Sequence, residues 1–131
     1  ALKGVAPHAG LFGPIDDLSH FGLLLRGAIQ GKKSKKYPAP AVVQSFTKRA
    51  IARERGDWAF GFMMPTKGSA SCGSKFSLSS VGHTGFTGTS LWYDPKKDLL
   101  VTLLSNRVHP TAANKEFQTL RPLLHTWVSE Q

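Results

Sequence analysis

The sequence predicts an α+β fold: an antiparallel sheet with flanking helices. Three observations lead there. Near the start, Leu18, Phe21, Leu25 and Ala28 recur at i, i+3, i+7 and i+10, the spacing of an amphipathic helix. Further on, the strand carrying His83 and the apolar run Leu99 to Leu104 are joined by the turn Asp94-Pro95-Lys96-Lys97-Asp98, short enough for a hairpin, so neighbouring strands run antiparallel. A last helical pattern then places Phe117, Leu120, Leu124 and Trp127 on one inward face.

Each element can be justified in order. Residues 1 to 13 are small and Gly-rich and read as an ordered loop, with His8 as a loop hydrogen-bonder. Pro14 suits the first turn of a helix, Asp16 and Asp17 complement the positive end of its dipole, and the helix stops near Gly31. Lys32 to Pro40 is a basic loop. Pro40 opens a second helix, expected to run through Arg53 with Val43, Phe46 and Ala50 on one face, until Gly56-Asp57 breaks it. Trp58, Phe60 and Phe62 alternate with Ala59, Gly61 and Met63, the period of a strand. Pro65 to Ser80, rich in Ser and Gly, is expected to be a long hairpin loop. Leu99 to Leu104 is apolar on both faces, which predicts a strand buried within the sheet or covered by helices. The last helix should run from about Thr111 or Asn114 to Ser129, with a kink near Arg121 because Pro122 removes a helical hydrogen bond. There is no internal repeat and no domain boundary.

The 131 residues, 40% hydrophobic and 19% charged, suffice for one globular domain and carry no disordered or collagen-like bias. A formal charge of +9 and a pI near 10.1 favour anionic partners. Yet the cations sit at Lys32, Lys33, Lys35 and Lys36 and at Lys48, Arg49, Arg53 and Arg55, with no aromatic stacking platforms between them. They read as a solvated loop and an exposed helix face, so no nucleic-acid partner is expected; a basic nucleic-acid-binding domain is the alternative that charge alone offers. The single cysteine, Cys72, rules out an internal disulfide and a cysteine-based metal cage, and reads as an inert surface thiol. No cofactor or metal is expected, and no apolar run approaches the ~18 residues of a membrane span.

The chain is organised around Gly82-His83-Thr84-Gly85-Phe86-Thr87-Gly88-Thr89-Ser90-Leu91-Trp92. Three glycines at intervals of three weaken a strand and mark a place where a ligand or another backbone comes close. A plain Gly-rich hairpin strand with a stray histidine fits the same pattern. Taken with the strand, the Asp94 to Asp98 turn, the run Leu99 to Leu104, and Ser105-Asn106-Arg107-Val108-His109-Pro110, this block resembles the C-terminal part of the serine β-lactamase and penicillin-binding-protein superfamily. The branch it is most similar to is that of the class C β-lactamase-like esterases and peptidases, whose third motif is Lys-Thr-Gly or His-Thr-Gly. Ala9-Gly10-Leu11-Phe12 with Asp16-Asp17-Leu18 resembles the segment such proteins carry before a helix, so the likeness runs from about Gly4 onward.

The resemblance implies a set of roles. His83 would give electrostatic and proton-transfer support to acylation. Thr84 would offer its hydroxyl to a substrate carboxylate or carbonyl, Gly85 would keep the strand edge bare for the substrate backbone, and the Phe86 N–H would be one oxyanion donor. Asn106 and Arg107 would bind substrate; a purely structural loop is the other reading there. The superfamily's Ser-x-x-Lys nucleophile motif and its Tyr-x-Asn or Ser-x-Asn motif lie well upstream of the third motif. The only Ser-x-x-Lys here, Ser45-Phe46-Thr47-Lys48, falls inside a predicted helix and reads as coincidence. The chain is therefore expected to be the C-terminal fragment of one β-lactamase-like domain, inactive alone. It would act with an N-terminal companion chain of the same protein, or with a second copy, on a small acyl substrate: a β-lactam, a D-amino-acid peptide or an ester. A non-catalytic binding module of the same fold is the alternative. By resemblance, localisation would be periplasmic or secreted.

Overall fold

The computed structural model describes residues 11–66 and 70–131. Expectations for His8, for Ala9-Gly10 and for part of the turn Thr66-Lys67-Gly68 thus fall outside the described residues. Helix α1 spans Ile15–Ile29 and α2 Pro40–Phe46; strands β1 (Val81–Thr84), β2 (Ser90–Asp94) and β3 (Leu99–Leu103) follow, then helix α3 (Glu116–Val128). The three strands form an antiparallel sheet in the order β1-β2-β3, with His83 opposite Leu91, Thr84 opposite Ser90, and Trp92 opposite both Gly82 and Val101.

Helix α1 begins after Pro14, carries Asp16 and Asp17 in its first turn and Arg26 in its last, and stops at Gly31, whose φ of +85° suits glycine. There the Gly31 N–H donates to Ala28 O and the Lys32 N–H to Gly27 O, closing the helix end. It packs on one face of the sheet through Gly22, where an added Cβ would come within 2.9 Å of the Leu100 side chain. Leu25, Ala28, Val43 and Leu91 form the core of that layer. Phe21, expected inward, is exposed, because Gly22 and not Phe21 takes the close approach.

Strand β2 is buried along its whole length. Its residues alternate: Leu91 and Tyr93 meet the α1 layer, while Trp92 joins Cys72 and Phe76 on the opposite face. Cys72 is fully buried, which corrects the expected surface thiol. Asp94 is buried too; burial pushes its carboxyl up, but the Ser77 hydroxyl and the Ser77, Lys96 and Lys97 N–H groups outweigh this and hold it below the ordinary value.

Four expectations are corrected. Helix α2 ends at Phe46 instead of Arg53, because the Thr47 hydroxyl bonds back to Val43 O and the chain then pairs at long range, Arg49 with Ala59. Residues 58 to 63 form a tight loop rather than a strand: Ala59 N–H donates to Phe62 O, and Gly61 turns at a φ of +80°. Strand β3 is half-buried and, among the described residues, pairs with β2 alone, so it is not mid-sheet; of the two expected readings, helix cover holds on the face where α1 packs against Leu100. Helix α3 turns Leu120, Leu124 and Trp127 outward, and the buried side chain it contributes is His125.

Candidate active site

His83, Thr84 and Gly85 lie at the end of β1, where the chain reverses at once into β2. The Gly85 N–H donates to Thr89 O at 2.7 Å and the Gly88 N–H to Gly85 O at 3.0 Å, so residues 85 to 89 form a tight turn. Both glycines sit close to neighbouring side chains, and Gly88 also needs its backbone freedom. A Cβ on Gly85 would stand 2.2 Å from Thr89 Oγ1, and one on Gly88, whose φ is +98°, 2.3 Å from Ser105 Oγ. The margin of β1 is therefore bare backbone at the position where the sequence anticipates a substrate.

Successive strand residues point to opposite faces, and His83 and Thr84 do so here. The exposed His83 ring lies 5.7 Å, centroid to centroid, from the ring of Trp58. Its Nδ1 is 2.8 Å from Thr84 O. A carbonyl only accepts, so Nδ1 donates in that bond, and Nε2 has no partner among the described residues. On the other face the Thr84 hydroxyl points at Met63 Sδ, 3.8 Å away. Met63 also forms a backbone bridge with Gly82 through bonds of 2.7 and 3.0 Å, so β1 is paired at this one point on the side away from β2.

Phe86 is 71% exposed, and among the described residues no acceptor engages its N–H. Arg107 reaches the same turn. Its Nε donates to Phe86 O at 2.8 Å, its own N–H donates to Thr87 O at 2.9 Å, and its guanidinium lies 4.8 Å from the centre of the Phe86 ring. Asn106 is exposed and, with Ser105, Arg107, Asn114 and Phe117, lines an open cleft of about 270 Å³ beside α3. Arg121 of α3 is shifted down, first by burial and then by the like charge of Arg107. The structure thus places Phe86 in the turn that follows His83 and Thr84 directly, and ties Arg107 to Phe86.

Ser45, by contrast, lies in α2 with its hydroxyl on Val42 O at 2.7 Å. Among the described residues no group of three His, Cys, Asp or Glu side chains is placed to hold a metal, and no helix is long and apolar enough to cross a membrane.

The family model described as Beta-lactamase matches residues 1–123. The chain belongs to the Beta-lactamase family. Relatives from Salmonella paratyphi B and Salmonella newport, each named "Putative D-alanyl-D-alanine carboxypeptidase", are 32% identical over 119 residues. Those matches cover 87% of this chain and 26% of each relative, so the chain spans about a quarter of their length. A solved beta-lactamase from Mycobacterium bovis superposes with a TM-score of 0.68 over 88% of this chain and 43% of that one, at 21% identity, and shares its fold. The chain accordingly has the α+β fold of the serine β-lactamase and penicillin-binding-protein superfamily.

Three residues of this candidate site escape sequence reasoning. Trp58 and Met63 read as alternating strand residues, yet they flank His83 and Thr84. Thr87 acts through its carbonyl, which also accepts from the Ser105 hydroxyl at 3.2 Å. A backbone acceptor leaves no mark in a sequence.

Proposed function

We propose that this chain is the third-motif portion of a serine hydrolase working through an acyl-enzyme, with the nucleophile supplied by a companion chain. The observation that carries this reading is the end of β1 and the turn after it: a bare Gly85, a Phe86 N–H with no acceptor among the described residues, and an exposed imidazole whose Nε2 has no partner among them, all within four consecutive residues. In this reading Gly85 lets the acyl substrate lie along the strand, the Thr84 hydroxyl and Asn106 hold its polar groups, and the Phe86 N–H stabilises the developing oxyanion. One such donor is worth about 3 kcal/mol of transition-state stabilisation. His83 Nε2 accepts or relays the proton that leaves the serine hydroxyl as its oxygen bonds the carbonyl carbon. The names of the Salmonella relatives favour a D-amino-acid peptide among the acyl substrates.

The companion is the N-terminal portion of the same protein or, failing that, a second copy. Two surfaces support an assembly: the half-buried β3, paired on one side among the described residues, and the outward row Leu120, Leu123, Leu124 and Trp127 of α3. An interface covering both would resemble a divided domain core.

The test is intact-mass analysis of the native complex together with hydrolysis of a D-alanyl-D-alanine peptide, an ester and a chromogenic cephalosporin. A stoichiometric companion bearing Ser-x-x-Lys, with turnover by the complex and none by the chain alone, supports the reading. A stable, inactive monomer with no companion points to a non-catalytic module. Turnover by the chain alone that Ser45→Ala abolishes would put the nucleophile in α2.

A further inference from the structure

We infer that Arg107 is a positioning residue that fixes the Phe86 peptide, and with it the direction of the Phe86 N–H, rather than a ligand for a substrate carboxylate. The inference rests on the reading of Phe86 as an oxyanion donor.

The geometry is specific. Three of the five Arg107 side-chain donors go to backbone carbonyls: Nε to Phe86 O at 2.8 Å, and one terminal nitrogen to Asn114 O at 3.0 Å and Ala112 O at 3.4 Å. Its Cζ lies over the Phe86 ring, 4.8 Å from the centroid, and its own N–H holds Thr87 O. One side chain therefore clamps the carbonyl and the ring of Phe86 while its backbone clamps the next carbonyl. The far end of the guanidinium is anchored in the 112 to 114 loop.

The clamp matters because of what surrounds it. Phe86 sits in a two-glycine turn, and glycine gives a backbone freedom that a donor aimed at one point in space cannot have. An oxyanion donor is effective because its direction is set before charge develops. Arg107 supplies the restraint that Gly85 and Gly88 withhold. A lysine could keep the charge there but could not donate along two directions while stacking on the ring.

Two measurements test this. In the isotope-labelled chain, Arg107→Lys and Arg107→Gln should loosen the Phe86, Thr87 and Gly88 amides, with order parameters falling from about 0.85 to below about 0.6, while amides of β2 and β3 keep their values. In the assembled complex the same variants should lower kcat by roughly 10- to 100-fold with KM unchanged, since a weakened transition-state donor leaves ground-state binding alone. A Phe86 amide as rigid in both variants as in the parent overturns the inference. So does a raised KM at constant kcat, the signature of a lost carboxylate ligand. If the parent complex hydrolyses nothing, the functional reading fails on its own, and the amide measurement still decides whether Arg107 sets the Phe86 peptide.

Discussion

The Ser90 hydroxyl and His125 Nε2 lie 2.9 Å apart, joining the middle strand to α3 through two buried side chains. Burial first, and then the nearby Arg121 guanidinium, pull the imidazole down to about 4. His125 is therefore neutral in the fold at pH 7, with Phe76 packed edge-on to its ring and Nδ1 lacking a partner among the described residues. The unfolded chain takes up the proton near 6.5, before the folded one does. Stability from this group is complete above about pH 6.5 and is lost as pH falls through 4, on the order of 3 kcal/mol in all. Urea midpoints measured between pH 7 and 4 should fall in the parent and fall less in His125→Gln. Equal slopes would rule the group out.

A second titration sits on the opposite face. The side-chain hydrogen bond from Arg26 holds the Asp98 carboxyl at about 2, with Tyr93 and Gln30 adding donors at 3.1 and 2.8 Å. This depressed group stabilises the fold above its unfolded value and stops doing so as pH drops through 2. Carboxyl carbon shifts should place the Asp98 midpoint near 2 in the parent and closer to 3.8 in Arg26→Gln. An unmoved midpoint would mean that Arg26 is not its partner in solution.

Gly82→Ala should be among the most damaging single-methyl additions. The new Cβ would stand 2.3 Å from Leu91 O and 2.4 Å from the Trp92 ring, and a strand backbone cannot step aside. A loss of at least about 2 kcal/mol is expected from such overpacking. Gly61→Ala, with open space around it, should show only the smaller strain of its φ of +80°. Denaturant unfolding of the pair checks the order, and a milder Gly82→Ala would contradict the packing.

Cys72 should resist thiol reagents. Desolvation pushes its thiol up to about 12, so the nucleophilic thiolate is scarce and the sulfur is inaccessible. Modification should proceed at the rate of opening and accelerate with urea. Rapid stoichiometric labelling of the folded chain would show that the 70 to 80 segment opens easily.

How much of this was legible follows from which forces are local. Helix α1 was readable because its Pro14 start, dipole charges and Gly31 stop all lie within the one short segment 14 to 31. The β2–β3 hairpin was readable from its turn. Helix α2 was overdrawn because Val43, Phe46 and Ala50 keep helical spacing, whereas Ala50 N–H donates to Trp58 O, a contact eight residues away that no periodicity encodes. The inward face of α3 was misplaced for a related reason. Its pattern marks an apolar stripe without saying which partner covers it, and the buried anchor proved to be a histidine. At the candidate site, glycine spacing marks the tight turn after β1, but the contacts of Trp58, Met63 and Arg107 depend on a loop and on carbonyls.

The strand order carries a geometric consequence for assembly. His83 and Gly85 belong to one border of the sheet, and the half-buried β3 forms the other. A strand added beside β3 would stand three interstrand spacings, about 14 Å, from β1. No side chain on such a strand spans that width. In the proposed assembly, joining the sheet and delivering a serine hydroxyl to the Phe86 N–H would thus be two separate tasks for two separate pieces of a companion, and a partner truncated to the joining strand alone would remain silent.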